Sequence, residues 1–391
     1  MNTKKEFLNL GKQPIANGFL TEEEFDSEFF YDLRVGLDRE TNLVTHMDYV
    51  NPELMFNDTY AYRGSMSRTM NIHFSQFSSY VKRFLPKKPI VLEIGSNDGV
   101  FLRNWERETT YAVEPCSNFA KETNNMGYRT YDEFWTMDLA ERVLEELGYV
   151  DLVFAANCMC HIPDLDQTFS AVEKILSDDG FFIFEDPSLA NMINLNSYDQ
   201  IYDEHPHIFS VLALKHILER NGLTIVRVDN TDVHGGSNRI WVQKSKVAKP
   251  DLSVETNITY EKILGLNRPC TFDRFSEKVE DSKNDLLLLV SRCVEHGKKV
   301  ISYGATSKST TVFNYCGLGP ELIQYITDTT PEKQNKFSPG VHIPIVSPDD
   351  NFNNSVDYAF LGAWNFVDEI KSKESEYTGK FITHVPVVRV V

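Results

Sequence analysis

The chain has 391 residues, 41% of them hydrophobic, and 39 Lys plus Arg against 57 Asp plus Glu give a formal net charge of −18. That length suits two or three domains. The charge repels polyanions and anionic membranes, which excludes nucleic acid and membrane partners and obliges any phosphorylated ligand to use a local cationic pocket. The six scattered cysteines form no Cys-x-x-Cys pair, and there is no N-terminal apolar segment or run of about eighteen apolar residues, so a chain in the reducing cytoplasm is expected, and a monomer is the expectation for its assembly.

Residues 1–74 read as a small irregular lobe, aromatic-rich and broken by Gly11, Pro14, Gly18 and Pro52. Over 75–250, strands at 89–94, 110–113, 150–155, 180–184, 223–229 and 238–243 alternate with helices at 100–106, 117–126, 138–147, 165–175 and 211–221. Such alternation predicts a parallel sheet covered by helices. A polar linker at 246–250 leads to residues 251–391, with a long helix over 271–295 and a strand, glycine turn and helix from Lys298 to a stop at Gly317. The predicted fold class is α/β: a doubly wound Rossmann-like domain, a second smaller Rossmann-like C-terminal domain and the N-terminal lobe.

The run VLEIGSNDGVFL places Glu93, Gly95, Asn97 and Gly99 where a buried strand turns, so backbone can approach a ligand without Cβ obstruction. The glycine spacing is G-x-x-x-G rather than the dinucleotide G-x-G-x-x-G, which favours S-adenosylmethionine over NAD. Glu114 ends the next strand 21 residues after Glu93, where a carboxylate can accept from both ribose hydroxyls. Glu133 and Phe134 are candidates for the adenine edge and face, and Asn157 for the methionine end.

The segment DQIYDEHPHIF follows the fifth strand, which puts Tyr202, Asp203, Glu204 and His205 at the ligand-binding edge of the sheet. His205 has the unperturbed pKa of a general base near neutrality, and Tyr202 and Glu204 are placed to orient a substrate or stabilise developing charge. His161, in NCMCHIP, is a rival that also follows a strand. Cys158 and Cys160 beside it have the wrong spacing for a tetrahedral zinc site and read as packing. HGGSNR, from His234 to Arg239, is a glycine turn that is either a bare hairpin or a device placing Arg239 beside a phosphate.

NLGKQPIANGFL, EIGSNDG, CHIPDL, FEDPS, YDEH, VHGGS, YGATSKS and DTTPEKQN occur in an order and spacing that resembles the nucleotide-sugar C-3 methyltransferases of branched deoxysugar biosynthesis. The resemblance spans nearly the whole chain, including AWN at 363–365. It implies S-adenosylmethionine in the middle domain and a nucleotide-linked 4-keto-6-deoxyhexose between the middle and C-terminal domains. It also implies His205 as the base that removes the C3 proton, giving an enolate that attacks the methyl. Tyr202 and Glu204 would hold sugar or enolate oxygens, and Tyr62 and Tyr60 are carried over as active-site tyrosines from MFNDTYAYRGSMS. An O- or N-methyltransferase on a related sugar is the nearest alternative, and a non-catalytic nucleotide-sugar binding protein is the other.

The turn SYGATSKS places Tyr303, Gly304, Thr306 and Lys308 at a helix N-terminus that favours an anion. The resemblance makes this a nucleotide diphosphate site, joined by Asp328, Lys333 and Asn335 from DTTPEKQN. One departure stands out: family members open with a four-cysteine zinc module, and Asp38 and Thr41 stand here where two of those cysteines would be. No zinc is therefore expected, the lobe being held by its own packing.

Overall fold

The computed structural model describes residues 3–391. In the N-terminal lobe, β1 (Lys4–Pro14), β2 (Phe30–Asp38) and β3 (Val44–His46) form an antiparallel sheet rather than an irregular piece. Their alternation is hard to read because β1 is irregular in register between Glu6 and Leu8 and again between Asn9 and Lys12, which breaks the period of two.

Helix α1 (Arg68–Val81) crosses the predicted boundary at residue 74, so the lobe ends ahead of Arg68. Ser67 caps it by accepting the Met70 N–H at 3.3 Å, and Met70, Phe74, Phe77 and Val81 bury one face on Phe101, Phe154 and Trp241.

The middle domain then runs β4 (Val91–Ile94), β5 (Thr110–Val113), α2 (Ser117–Asn125), β6 (Arg129–Tyr131), α3 (Met137–Leu147), β7 (Val150–Ala156), α4 (Leu165–Ile175), β8 (Leu176–Pro187) and α5 (Leu189–Leu195). It closes with β9 (His207–Ile208), α6 (Val211–Arg220), β10 (Leu223–Thr231) and β11 (Ser237–Lys244). The seven-stranded sheet has the order β10-β11-β8-β7-β4-β5-β6, with β11 antiparallel to both its neighbours. Strands β4 and β7 are parallel, but the strand order reverses between them, the chain adding β5 and β6 on one side of β4 and then crossing to β7 on the other, which makes their carboxyl ends the binding crevice.

The helix expected at 100–106 is a single 3₁₀ turn, Leu102–Asn104. Val100, Phe101, Leu102 and Trp105 are all buried, and the Asn104 amide donates to the Val100 and Phe101 carbonyls that a longer helix would use.

The C-terminal domain contains α7 (Leu252–Leu264), α8 (Pro269–Glu295), β12 (Val300–Tyr303), α9 (Ser307–Cys316), β13 (Ile326–Thr327), β14 (Ile345–Val346), α10 (Pro348–Asn351), β15 (Tyr358–Leu361), α11 (Val367–Lys373), β16 (Lys380–Thr383) and β17 (Arg389–Val390). Its sheet order, β14-β13-β12-β15-β16-β17, is parallel except at β17.

The lobe joins both larger domains. Strand β3 pairs with β9, directly after the Tyr-Asp-Glu-His run, and Leu20 bridges to Phe337 of the C-terminal domain. Among the described residues no helix is long and apolar enough to cross a membrane.

Candidate active site

One cavity of about 780 Å³ lies where the three parts meet. At one end the β4 strand finishes at Gly95, whose φ of +74° and whose missing Cβ, which would sit 2.6 Å from the Cys158 sulfur, leave room only for glycine. Glu114 holds this turn in place, accepting the Asn97 N–H at 2.6 Å on one oxygen and the Cys116 N–H at 2.9 Å on the other. Each oxygen keeps a lone pair for a ribose hydroxyl.

The same end is acidic. Burial, with Glu114 and Asp98 nearby, raises the Glu93 carboxyl well above its usual range, and its Oε2 has no partner. Burial also raises Asp186 to about 7 and leaves Oδ2 unpaired. A ligand carrying a sulfonium and an ammonium supplies the missing positive charge, so these residues fit S-adenosylmethionine. Phe134, Trp135 and Asn157 complete this wall.

The loop with the candidate tyrosines is fixed to the glycine turn: Asn97 accepts from the Gly64 N–H at 2.9 Å and donates to the Tyr62 carbonyl at 2.9 Å. Tyr60 donates to Glu204 at 2.8 Å, while Tyr62 lines the mouth and stays 42% exposed.

In the middle of the cavity the His205 Nδ1–H donates to the Gln200 carbonyl at 2.7 Å, so Nε2 carries the lone pair and accepts from the Tyr202 hydroxyl at 2.8 Å. Burial, with His161 adjacent, pushes the His205 pKa well below its ordinary value, leaving a neutral imidazole. His161 stacks on it with ring centroids 5.1 Å apart, and burial lowers the pKa of His161 to about 3. Glu204 accepts from Asn17 at 2.5 Å and from Tyr60 on the other oxygen, and burial raises it to about 7 against these bonds.

At the far end Lys308 lies over the Trp364 ring at 5.3 Å with no hydrogen bond among the described residues. Lys333 donates to the Ala305 carbonyl at 2.7 Å, and burial lowers the pKa of both lysines. Thr306 caps α9, and the Tyr303 hydroxyl donates to Glu374 at 2.6 Å. His234 also lines the wall, with φ +53° and an unpaired Nε2.

Four expected residues are elsewhere. Arg239 is spent on Glu185, with Nε at 2.9 Å and the guanidinium over Phe77, so it is a structural ion pair and not a phosphate ligand. Glu133 pairs with Arg142 on the surface. Asn335 turns the backbone at φ +62° outside the cavity wall, and a Cβ on Gly99 would meet Thr123, so that glycine serves packing. Conversely, Asn17, Trp135 and Gln200 line the cavity although no motif marks them as site residues. Asn17 sits inside the quoted NLGKQPIANGFL, but spacing alone does not reveal its reach to Glu204.

Strand order and a glycine turn held by a strand-end acid define a Rossmann-like nucleoside-binding domain of the methyltransferase kind. Residues 69–228 match the family model described as methyltransferase domain, and 232–386 the one described as C-methyltransferase C-terminal domain. The chain is 31% identical to C-methyltransferase NovU of Streptomyces niveus over 397 residues, covering 99% of this chain and 94% of that one. It therefore belongs to this C-methyltransferase family and is an S-adenosylmethionine-dependent C-methyltransferase. Among solved structures it is similar to an S-adenosylmethionine-dependent methyltransferase from Clostridium acetobutylicum, at 12% identity over 46% of this chain and 93% of that one, TM-score 0.34. It is also similar to magnesium protoporphyrin IX methyltransferase from Synechocystis, at 15% identity over 45% and 83%, TM-score 0.33.

The expectation of no zinc is corrected: residues 1–56 match a putative zinc binding domain. That segment contains no cysteine, so it offers no thiolate ligands, and its Asp38 carboxylate already accepts from Thr3, Glu40 and Thr41. The residues present do not fit a four-thiolate site. Among the described residues, donor atoms close enough to share an ion, within 4.8 Å of one another, belong to Cys160, His161 and His205, outside the matched segment.

Proposed function

We propose that this C-methyltransferase methylates C3 of a nucleotide-linked 4-keto-6-deoxyhexose, with His205 as the base. The observation that carries this is a neutral imidazole with its tautomer fixed by Gln200, between a carboxylate-lined end and a lysine-bearing end of one cavity. In this reading the middle domain holds the cofactor, the C-terminal domain the nucleotide, and the N-terminal lobe and its loop cover the sugar.

A proton α to a ketone is acidic because the carbanion delocalises onto the carbonyl oxygen. His205 Nε2 takes the C3 proton, and the electron pair of that C–H bond moves towards the C4 oxygen. The Tyr202 hydroxyl, which donates to Nε2 in the substrate-free site, is redirected to that oxygen and stabilises the enolate charge. Glu93, Gly95, Glu114 and Asn157 would hold S-adenosylmethionine, which would supply C3 with an electrophilic methyl and a neutral thioether as leaving group. Glu204 accepts from a sugar hydroxyl while held by Asn17 and Tyr60, and Tyr62 closes the mouth. Lys308 and Lys333, with the Thr306 turn, hold the diphosphate, and Tyr303 and His234 border it. Six free cysteines suit a reducing cytoplasm.

Deuterium wash-in tests the reading. Exchange at C3 of the keto sugar in D2O, lost in His205→Ala, supports it. Exchange at C5, the other carbon beside the ketone, would move the chemistry there, and no exchange in an active enzyme would favour an O- or N-acceptor. Failure to bind S-adenosylmethionine in a thermal shift would favour a non-catalytic sugar-binding protein.

A further inference from the structure

The turn from Ile15 to Gly18 touches all three parts of the protein. It is closed by the Gly18 N–H donating to the Ile15 carbonyl at 3.0 Å. The Ala16 N–H donates to Asp203 of the middle domain at 3.0 Å, and the Ala16 carbonyl accepts from Thr310 of the C-terminal domain at 3.0 Å. Both backbone polar groups of Ala16 are thus satisfied, so the position of the next side chain is set by three domains at once. That side chain is Asn17, which lines the cavity and donates its amide to Glu204 at 2.5 Å.

We propose that Asn17 is a positioning residue for Glu204, fixing the carboxylate as an acceptor aimed into the cavity and making the N-terminal lobe a working part of the active site. The proposal rests on the reading of Glu204 as part of the sugar wall. Tyr60 holds Oε2 and Asn17 holds Oε1, so one group on each side sets the plane of the carboxylate. Both are donors, and a donor to a carboxylate favours its ionised form. Tyr31, Tyr202, Asp203 and Lys333 face the same group; burial and Glu204 push the Asp203 carboxyl up, burial is what opposes ionisation of Glu204, and the lysine favours it only from a distance. The amide of Asn17 therefore stands, with Tyr60, against burial.

The test is the titration of Glu204 in Asn17→Ala and Asn17→Asp, read by carbon NMR of the substrate-free protein with labelled glutamate carboxyls, assigned with Glu204→Gln. The proposal expects an upward shift of about one pH unit, roughly tenfold in the ionisation constant, in Asn17→Ala and more in Asn17→Asp. Asn17→Ser, which keeps a donor, should fall between wild type and Asn17→Ala, and serves if the aspartate variant does not fold. In the methyl-transfer assay the acid limb of kcat/KM should move up by the same amount while the alkaline plateau recovers. A uniform fall in rate at every pH with an unmoved Glu204 titration would make Asn17 structural only and overturn the proposal. The NMR reading needs no sugar, so if the keto sugar is not methylated, that outcome counts against the proposed acceptor and the Asn17 result still stands or falls by itself.

Discussion

The Tyr202 hydroxyl donates to His205 Nε2 at 2.8 Å, so the lone pair that would take a substrate proton is occupied in the substrate-free protein. The Gln200 carbonyl holds the opposite nitrogen, which leaves the imidazole one free move: to lose Tyr202 and gain a proton. Tyr202→Phe keeps the ring, whose centroid lies 4.1 Å from that of His205, and removes only the donor. A fall of about a hundredfold in kcat with unchanged cofactor affinity is expected, measured by steady-state kinetics and calorimetry.

The pH dependence should come from Glu204 rather than from His205. Burial keeps His205 neutral well below its ordinary value, whereas Glu204 ionises near 7, so activity should rise as pH passes through about 7. In Glu204→Gln that limb should disappear, and a limb that persists unchanged would assign it to another group.

The carboxylates at the cofactor end set a second pH effect. Burial raises Glu93, Glu114 and Asp186 in the folded chain, so each favours the protonated fold, and stability is lost as pH rises from the unfolded carboxyl value through the folded one. A cationic ligand reverses this. Binding of S-adenosylmethionine should release protons and raise Tm more at pH 8 than at pH 6, which calorimetry in buffers of different ionisation enthalpy would show.

Lys308 is a cavity cation over the Trp364 ring with no hydrogen bond among the described residues and Asp199 as the charge that favours it, so Lys308→Ala should weaken a nucleoside diphosphate by about 1.5–3 kcal/mol, roughly ten- to a hundredfold, and leave cofactor affinity alone.

Arg239 should behave oppositely. Arg239→Ala leaves Glu185 buried with only His73 as partner and should cost about 3–5 kcal/mol of stability, with no change in sugar KM. Denaturant unfolding beside kinetics separates the two.

The contrast between these two basic residues shows what was legible in the chain. Lys308 follows a glycine turn into a helix, a local arrangement whose geometry follows from its neighbours. Arg239 also follows a glycine turn, but β11 pairs with β8 and puts Arg239 opposite Glu185, a long-range register that spacing does not reveal. The parallel sheet was readable because β4, β5, β7 and α4 are short, regular and buried as their patterns require. The N-terminal sheet was not, because bulges disrupt β1 and its last strand is borrowed from residues 207–208. Helix α1 was within reach: Ser67 followed by Met70, Phe74, Phe77 and Val81 has the cap and the period of an amphipathic helix. The Ala16 and Asn17 contacts to Asp203 and Glu204 join residues 187 apart, and only the fold reveals them.

The most direct test of the account is to incubate the protein with S-adenosylmethionine labelled at the methyl carbon and a nucleotide-linked 4-keto-6-deoxyhexose labelled in its ring, then read the product by carbon NMR. One-bond coupling between the methyl and C3 is the result expected. A methyl that appears on oxygen or nitrogen, uncoupled to any ring carbon, would contradict it.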